Sequence, residues 1–597
     1  MRYLNYIAFG LLLGITLLLT APSAKAEKKY KIDRVTFEGN RAFPDSRLQG
    51  LMLSRPSAFL SSSYFYEQIF LDDIENIEIF YQQNGYLEVV VTDTAVSFDT
   101  TRHRVDIHLK IDEGELTHLE GIAVFGNTVF DDSTLLGKVR MKPGDSFQRN
   151  LIQEGMLALL SLYAENGFLD AAIKPDIKIN SEAHLAMVDF IVTERYRCTV
   201  SEIIIEGNQK TRPSVIKREL NFHPGEVVRY SRLMTSQRQL YLTGLFESVF
   251  LQPRPARQGD SAQRDIVIDI KENLSSEYNL SVGYGSIDKA RASMEVFTRN
   301  LAGSARKIGS TLKASFIRRG IEASFTEPWT FGTRWKTDVN LIFEFVEEPG
   351  YDLSRLGGRL TVGRNFGKNT SAALTYRFEE GRLRHIEVTD IPDDYDPRVR
   401  SLILSFNYDT RDNLFNPSRG TYFEWTNEMA GAFLRGSNTF ARSIIALKWF
   451  KPLDRETIFG TALEVGWMDY FGSSGDIPLS ERFYTGGPNS LRGFEYQKVG
   501  PLQDDDIPLG GSFKVVWNLA EIRRTLYKMF GVVGFVEFGN IWSRMNDFKL
   551  KDLRPDTGAG LRVNTPLGIL RLDFGVNLDR RAYEPRTRIY FNMGQAF

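Results

Sequence analysis

Among the side chains able to do chemistry, Arg492 has the most deliberate surroundings. It lies in FYTGGPNSLRGFEYQKVGP, Phe483 to Pro501, preceded by Gly486, Gly487, Pro488 and Asn489 and followed by Gly493 and Phe494. A guanidinium keeps its charge and offers a planar fork of donors, so its natural work is to hold carboxylates, not to transfer protons. The other candidate groups are scattered. Of the six histidines, His103, His108, His118, His184, His223 and His385, the first two lie five apart on what reads as one strand and face opposite sides, and no zinc spacing occurs. Cys198 is the only cysteine and has no thiol partner. Gly486-Gly487 is not followed by Gly-Lys-Ser/Thr, as a phosphate-binding loop requires. Asp504-Asp505-Asp506 reads as solvated loop charge. No enzyme, metal site or cofactor is expected.

These residues need elements to position them, and 597 residues imply several domains. With 74 basic and 75 acidic residues the net charge is -1, so no overall field points to nucleic acid as a partner. Met1 to Ala26 has the layout of a signal peptide, with Arg2, an apolar run from Ile7 to Leu19, and Ala24-Lys25-Ala26 before Glu27. Beyond Ala26 no window approaches 18 uninterrupted apolar residues, which leaves a closed barrel of strands as the way into a membrane.

The first half repeats itself. Val35-Thr-Phe-Glu-Gly39-Asn40 returns as Ile122-Ala-Val-Phe-Gly126-Asn127 and Ile203-Ile-Ile-Glu-Gly207-Asn208. Each is followed by a tyrosine ahead of a glycine-apolar pair: Tyr81 with Gly85, Tyr163 with Gly167, Tyr241 with Gly244. An alternating strand closes each unit. Leu151, Met156, Leu159, Leu160 and Tyr163 give the second unit a helix with a face to bury. The reading is three α+β modules, at 27–113, 114–196 and 197–274, whose sheet edges are suited to strand addition.

From Tyr278 the period becomes two. Tyr278, Leu280, Val282 and Tyr284 alternate with polar or glycine residues, as do Leu570, Leu572, Phe574, Val576 and Leu578 with Arg571, Asp573, Gly575 and Asn577. About sixteen such segments fit a transmembrane antiparallel β-barrel over 275–597, apolar outside and polar within. In the last segment Ile589, Phe591, Met593 and Phe597 share one phase, which Gln595 breaks after Gly594. Facing Gly283 and Gly285 of the first segment, this makes a short, slippery seam.

The loop Gly486-Gly-Pro-Asn-Ser-Leu-Arg492-Gly493-Phe494, after three repeats and inside a sixteen-segment pattern, resembles the signature of the BamA/TamA superfamily of outer-membrane assembly proteins, and the repeats resemble its POTRA modules. Asn300-Leu-Ala-Gly303-Ser304, Phe325-Thr-Glu-Pro328-Trp329, Tyr408-Asp409-Thr-Arg411-Asp412 and Gly558-Ala-Gly560-Leu-Arg562 agree with it. Three modules resemble TamA more than BamA. The resemblance implies that the loop after the eleventh segment enters the lumen, with Arg492 facing acidic groups. Glu537 and Asp573, on the lumen phase of their strands, are the candidate acceptors. It implies a C-terminal aromatic assembly signal at Phe597, and unfolded outer-membrane clients, autotransporter-like, inserted through the seam. Lipid and a TamB-like inner-membrane partner on the first module are the other implied partners. A dedicated export pore of the two-partner-secretion type is the alternative, although it usually has two modules.

Overall fold

The computed structural model describes residues 30–56, 63–256, 260–389, 391, 396–472, 476–566 and 568–593. The expected signal peptide, and Gly594, Gln595 and Phe597, lie outside the described residues. The chain forms two compact units: one holds residues through Ile204 with Leu220–Gln237 and Leu251–Ile268, the other Ile205–Glu219, Arg238–Phe250 and Asp269–Phe597.

In the first unit the N-terminal module runs strand Lys31–Glu38, helices Asp45–Gln49 and Glu67–Gln83, then strands Val90–Asp99 and Arg104–Asp112. Its last strand is central, parallel to the first and antiparallel to the second. Helical spacing puts Phe70, Ile77 and Tyr81 on one face, and strand alternation puts Val105, Ile107 and Leu109 beneath them. The second module repeats this order between His118–Phe125 and Leu185–Thr193. Its helix Arg149–Glu165 buries Ile152, Gly155, Leu159 and Tyr163. Leu151, Met156 and Leu160 of the expected face are only partly buried and flank that stripe. His103 belongs to no strand: it sits at φ 54° in the turn before Arg104, while His108 is on the strand with Nδ1 3.0 Å from Thr36 Oγ1.

The repeated Gly-Asn pair now has a physical reason. Gly39, Gly126 and Gly207 have φ of 91°, 82° and 88°, and a Cβ there would lie 2.0, 2.4 and 2.0 Å from the carbonyl oxygens of Ile111, Val192 and Ile270. Only glycine fits. Asn40, Asn127 and Asn208 then close the turn by donating to the carbonyls of Phe43, Phe130 and Thr211 at 3.0, 2.9 and 3.1 Å. A glutamate at or just past the end of each central strand accepts the turn's backbone N–H groups. Glu113 takes Ala42, Glu194 takes Thr128 and Val129, and Glu272 takes Gln209, Lys210 and Thr211.

Tyr81 and Tyr163 donate their hydroxyls to Glu113 and Glu194, both at 2.8 Å. Tyr241 does not take the equivalent place: it is 59% exposed, and Leu240 is buried instead. The spacing explains the correction. Tyr81 and Tyr163 precede their glycines by four residues and Tyr241 by three, so one helical step turns it to solvent.

The second unit carries a sixteen-stranded antiparallel sheet, from Ser276–Gly285 to Thr587–Met593, in which chain neighbours are sheet neighbours. The strands are counted below in chain order. Alternation holds: Leu572 and Phe574 are exposed on the fifteenth strand, Gly568–Asn577, while Arg571, Asp573 and Asn577 are buried. The outward face suits lipid and the inward face ion pairs. The nearly closed barrel has three POTRA-type modules before it. Two quoted motifs lie at its turns. Asn300 donates to Thr211 Oγ1 at 2.7 Å, Arg212 N donates to the Gly303 carbonyl at 3.0 Å, and Arg218 lies 5.4 Å from the Trp329 ring centre. Asp409 instead holds Arg411 through both carboxylate oxygens, at 3.0 and 2.7 Å.

Two outcomes test the module architecture. Gly126→Ala is expected to destabilise the second module by about 2 kcal/mol or more, measured by urea unfolding. Burial opposes ionisation of Glu194, yet donation from the Thr128 hydroxyl, the Val129 and Thr128 N–H groups and Tyr163 holds its carboxyl below the usual range. A depressed folded-state value means this stabilisation is present above the ordinary Glu value, near ~4.3, and fades as pH falls below it. Glu194→Gln should flatten that acid limb of the stability profile.

Candidate functional site

Between the eleventh strand, Thr457–Tyr470, and the twelfth, Phe513–Tyr527, a loop carrying Arg492 packs against the inward face of the barrel strands. Its anchor is hydrophobic first: Leu491 and Phe494 are buried with Val499 and Val516. Between them Arg492 is 0% exposed. Its Nε and Nη2 donate to Glu537 Oε1 at 2.9 and 2.7 Å, and its backbone N–H donates to Glu537 Oε2 at 2.8 Å. Nη2 is also 2.7 Å from Glu521 Oε2, and Nη1 is 3.7 Å from Asp573 Oδ1. The guanidinium lies over Phe535, 3.5 Å from the ring centre. A charge so fully removed from water is tolerable only with such compensation.

Both carboxylates expected from the sequence, Glu537 and Asp573, therefore reach Arg492, and Glu521 was missed. The reason lies in the twelfth strand. Its register shifts between Asn518 and Ala520, so Asn518 and Glu521 are both buried inward although they lie three positions apart. Strict alternation puts them on opposite faces. Asn518 then donates to Glu537 Oε1 at 2.8 Å, and Arg523 to Glu521 Oε1 at 2.7 Å.

Glycines set the close approach. A Cβ on Gly493 would lie 2.6 Å from Asp556 Cβ, and one on Gly575 2.2 Å from the Arg492 carbonyl oxygen. Gly493 N donates to Asp556 Oδ2 at 3.1 Å. In the motif Gly558-Ala-Gly560, a side chain on the first would meet the Phe535 ring at 2.4 Å and one on the second Asp573 Oδ1 at 2.2 Å. Those positions leave room for the ring and the carboxylate that face Arg492.

Two further fastenings hold the same loop. Glu481 pairs with Arg377 and, at 3.2 Å, with Arg442, and both arginines also engage Glu428. Nothing in the sequence marked Glu481, since it lies outside any strand period. Toward the chain's end, Tyr590 donates to the Phe494 carbonyl at 2.6 Å, and Arg588 pairs with Glu495. Phe494 itself packs 4.6 Å from the guanidinium of Arg554, which pairs with Glu584. The loop thus grips the last strand directly.

The first strand is held more lightly. Tyr278, Leu280, Val282 and Tyr284 point outward, Tyr278 81% exposed. On the last strand Ile589 is exposed, and Phe591 and Met593 are half-buried. Among the described residues, the backbone hydrogen bonding between these strands runs through Ser286. Its N–H donates to the Phe591 carbonyl at 2.9 Å, and its Oγ accepts from Phe591 N–H at 2.8 Å. Tyr284 and Phe591 meet at 6.1 Å between ring centres. The last strand has seven residues and pairs with the fifteenth along its length. Asp504, Asp505 and Asp506 are exposed, and among the described residues no three His, Cys, Asp or Glu side chains gather as a metal site.

Removing one partner of so buried a pair should be costly. Arg492→Ala is expected to weaken the loop's attachment by about 3–5 kcal/mol while the sheet still closes, giving rapid protease cleavage between Phe483 and Pro501 in a barrel that keeps its heat-resistant mobility on gels. Arg492→Lys should rescue only in part, because a point charge cannot serve Glu537 and Glu521 together.

Residues 300–597 match the Omp85 superfamily domain, and 30–114, 117–195 and 198–273 each match the surface antigen variable number repeat, or POTRA. The outer membrane protein assembly factor BamA of Nitratidesulfovibrio vulgaris is 25% identical, covering 95% of this chain and 74% of that protein. That of Neisseria meningitidis serogroup B is 23% identical, covering 96% and 78%. The crystal structure of BamA from Haemophilus ducreyi lacking POTRA domains 1–3 shares the fold, with a TM-score of 0.70, 20% identity, and coverage of 80% of this chain and 99% of that one. The chain belongs to the Omp85 superfamily, as an outer-membrane β-barrel protein with periplasmic POTRA domains.

Proposed function

We propose that this chain is an outer-membrane protein assembly factor, and that clients enter the membrane through the seam between the first and last barrel strands. The observation that carries the reading is the seam itself: two neighbouring strands joined, among the described residues, at Ser286 and Phe591. The first strand below Ser286 offers backbone donors and acceptors on its outer edge. In lipid such an edge is costly unless another strand covers it, and an unfolded client strand supplies that cover with no chemical bond made or broken.

The loop gives the process direction. Because Tyr590 and Arg588 tie the last strand to the loop, the first strand is the edge freer to part, and Arg492 keeps the loop seated while it does. The modules receive the client before insertion. Their outer strands, such as Val90–Asp99 with its mostly exposed residues, are edges for strand addition. Relatives named as assembly factors support the class of activity. The three-module arm, as in TamA, suggests autotransporter-like clients, with a TamB-like inner-membrane protein on the first module and local lipid disorder at the seam.

A cysteine pair replacing Ser286 and Phe591 tests this. Oxidation should lower client insertion into liposomes about tenfold or more, and reduction should restore it. Insertion undiminished by a locked seam would exclude lateral release.

A further inference from the structure

The first four strands, the inward loop, the twelfth strand and the last two strands line an open-mouthed cavity of about 760 Å3. Arg291, Lys313, Arg318, Lys514 and Arg571 line it against a single acid, Asp288. Four of these cations have carboxylate partners: Arg291 with Asp288 at 3.5 Å, Lys313 with Glu322 at 3.1 Å, Arg318 with Glu344 at 3.4 Å, and Lys514 with Glu464 at 2.7 Å.

Arg571 differs. It is 2% exposed, and its Nε and Nη1 have no hydrogen-bond partner among the described residues. Nη2 holds Asn489 Oδ1. The carboxylate beside it, Asp573, is 3.9 Å away and shared with Arg562 at 2.7 Å and Arg492 at 3.7 Å. Arg562 also sits directly opposite Arg571 across the fourteenth and fifteenth strands, so two like charges face each other there. Two more donors of the same wall, Thr485 Oγ1 and Asn592 Nδ2, are likewise buried without a partner.

Several donors around a guanidinium with spare capacity suit an anion with several oxygens, phosphate better than a single carboxylate. The volume falls in the range of small-ligand sites, about 300–1,000 Å3. The cavity is also lined by Val282 and Met593 at the seam, and Val282 faces outward. A cationic floor behind an apolar mouth matches an amphiphile. We infer that this cavity binds the phosphate-bearing headgroup of an anionic lipid entering at the seam. The inference stands apart from the assembly reading and requires only the barrel.

The test uses the full chain in an uncharged detergent, titrated with dodecyl phosphate and separately with inorganic phosphate, and followed by 31P resonance broadening. Dodecyl phosphate should bind about tenfold or more tightly than inorganic phosphate, and Arg571→Gln should weaken it about tenfold. Thr485→Asp, which adds a carboxylate to the same wall, should weaken it as well and serves if the Arg571 variant fails to fold. Equal affinity for the two probes would assign the cavity to free anions and overturn the headgroup claim. Binding unaffected by a folded variant, or no binding at all, would overturn the site.

Discussion

Backbone amides and carbonyls within a bilayer must find partners inside the protein, and this chain's architecture follows from that demand. Fifteen of the junctions in its sixteen-stranded sheet are antiparallel ladders, from seven pairs at the last strand to the thirteen-residue pairing of Lys336–Glu348 with its neighbour and longer. The sixteenth junction differs. There the described residues show contact through Ser286 and Phe591, and a short last strand.

Having a weak junction requires that the rest hold. The interior buries many arginine, glutamate and aspartate side chains, which pack a core poorly but constrain geometry well when each has its partner. Arg492 near the middle of the loop and Glu481 near its start have opposite signs and pair with oppositely charged side chains of the wall. The loop is fixed to the wall at these two places and at Glu348 of the fifth strand, and Tyr590 ties it to the last strand. The last strand is thus tied to the loop by Tyr590 and Arg588.

The sequence made the periodic features readable and hid the aperiodic ones. Alternation along Leu570 to Leu578 placed Asp573 inward correctly, because nothing interrupts that ladder. Glu521 escaped because a bulge after Asn518 reverses the phase. The tyrosine of the third module was misplaced by one residue, since the glycine spacing of three was read as equivalent to four. Gly39, Gly126 and Gly207 were legible as turns, but the carbonyl each one faces belongs to a strand more than sixty residues away. Glu481 and Arg571 became visible only once distant strands were brought side by side, for their partners obey no local spacing.

Hydrogen exchange of the full chain in lipid bilayers measures the central asymmetry most directly. Amides of residues 276–285 that point away from the second strand should exchange orders of magnitude faster than those of the fifteenth strand, and should become protected when an unfolded client is added. Equal, slow exchange along the first and fifteenth strands, unchanged by client, would contradict the account.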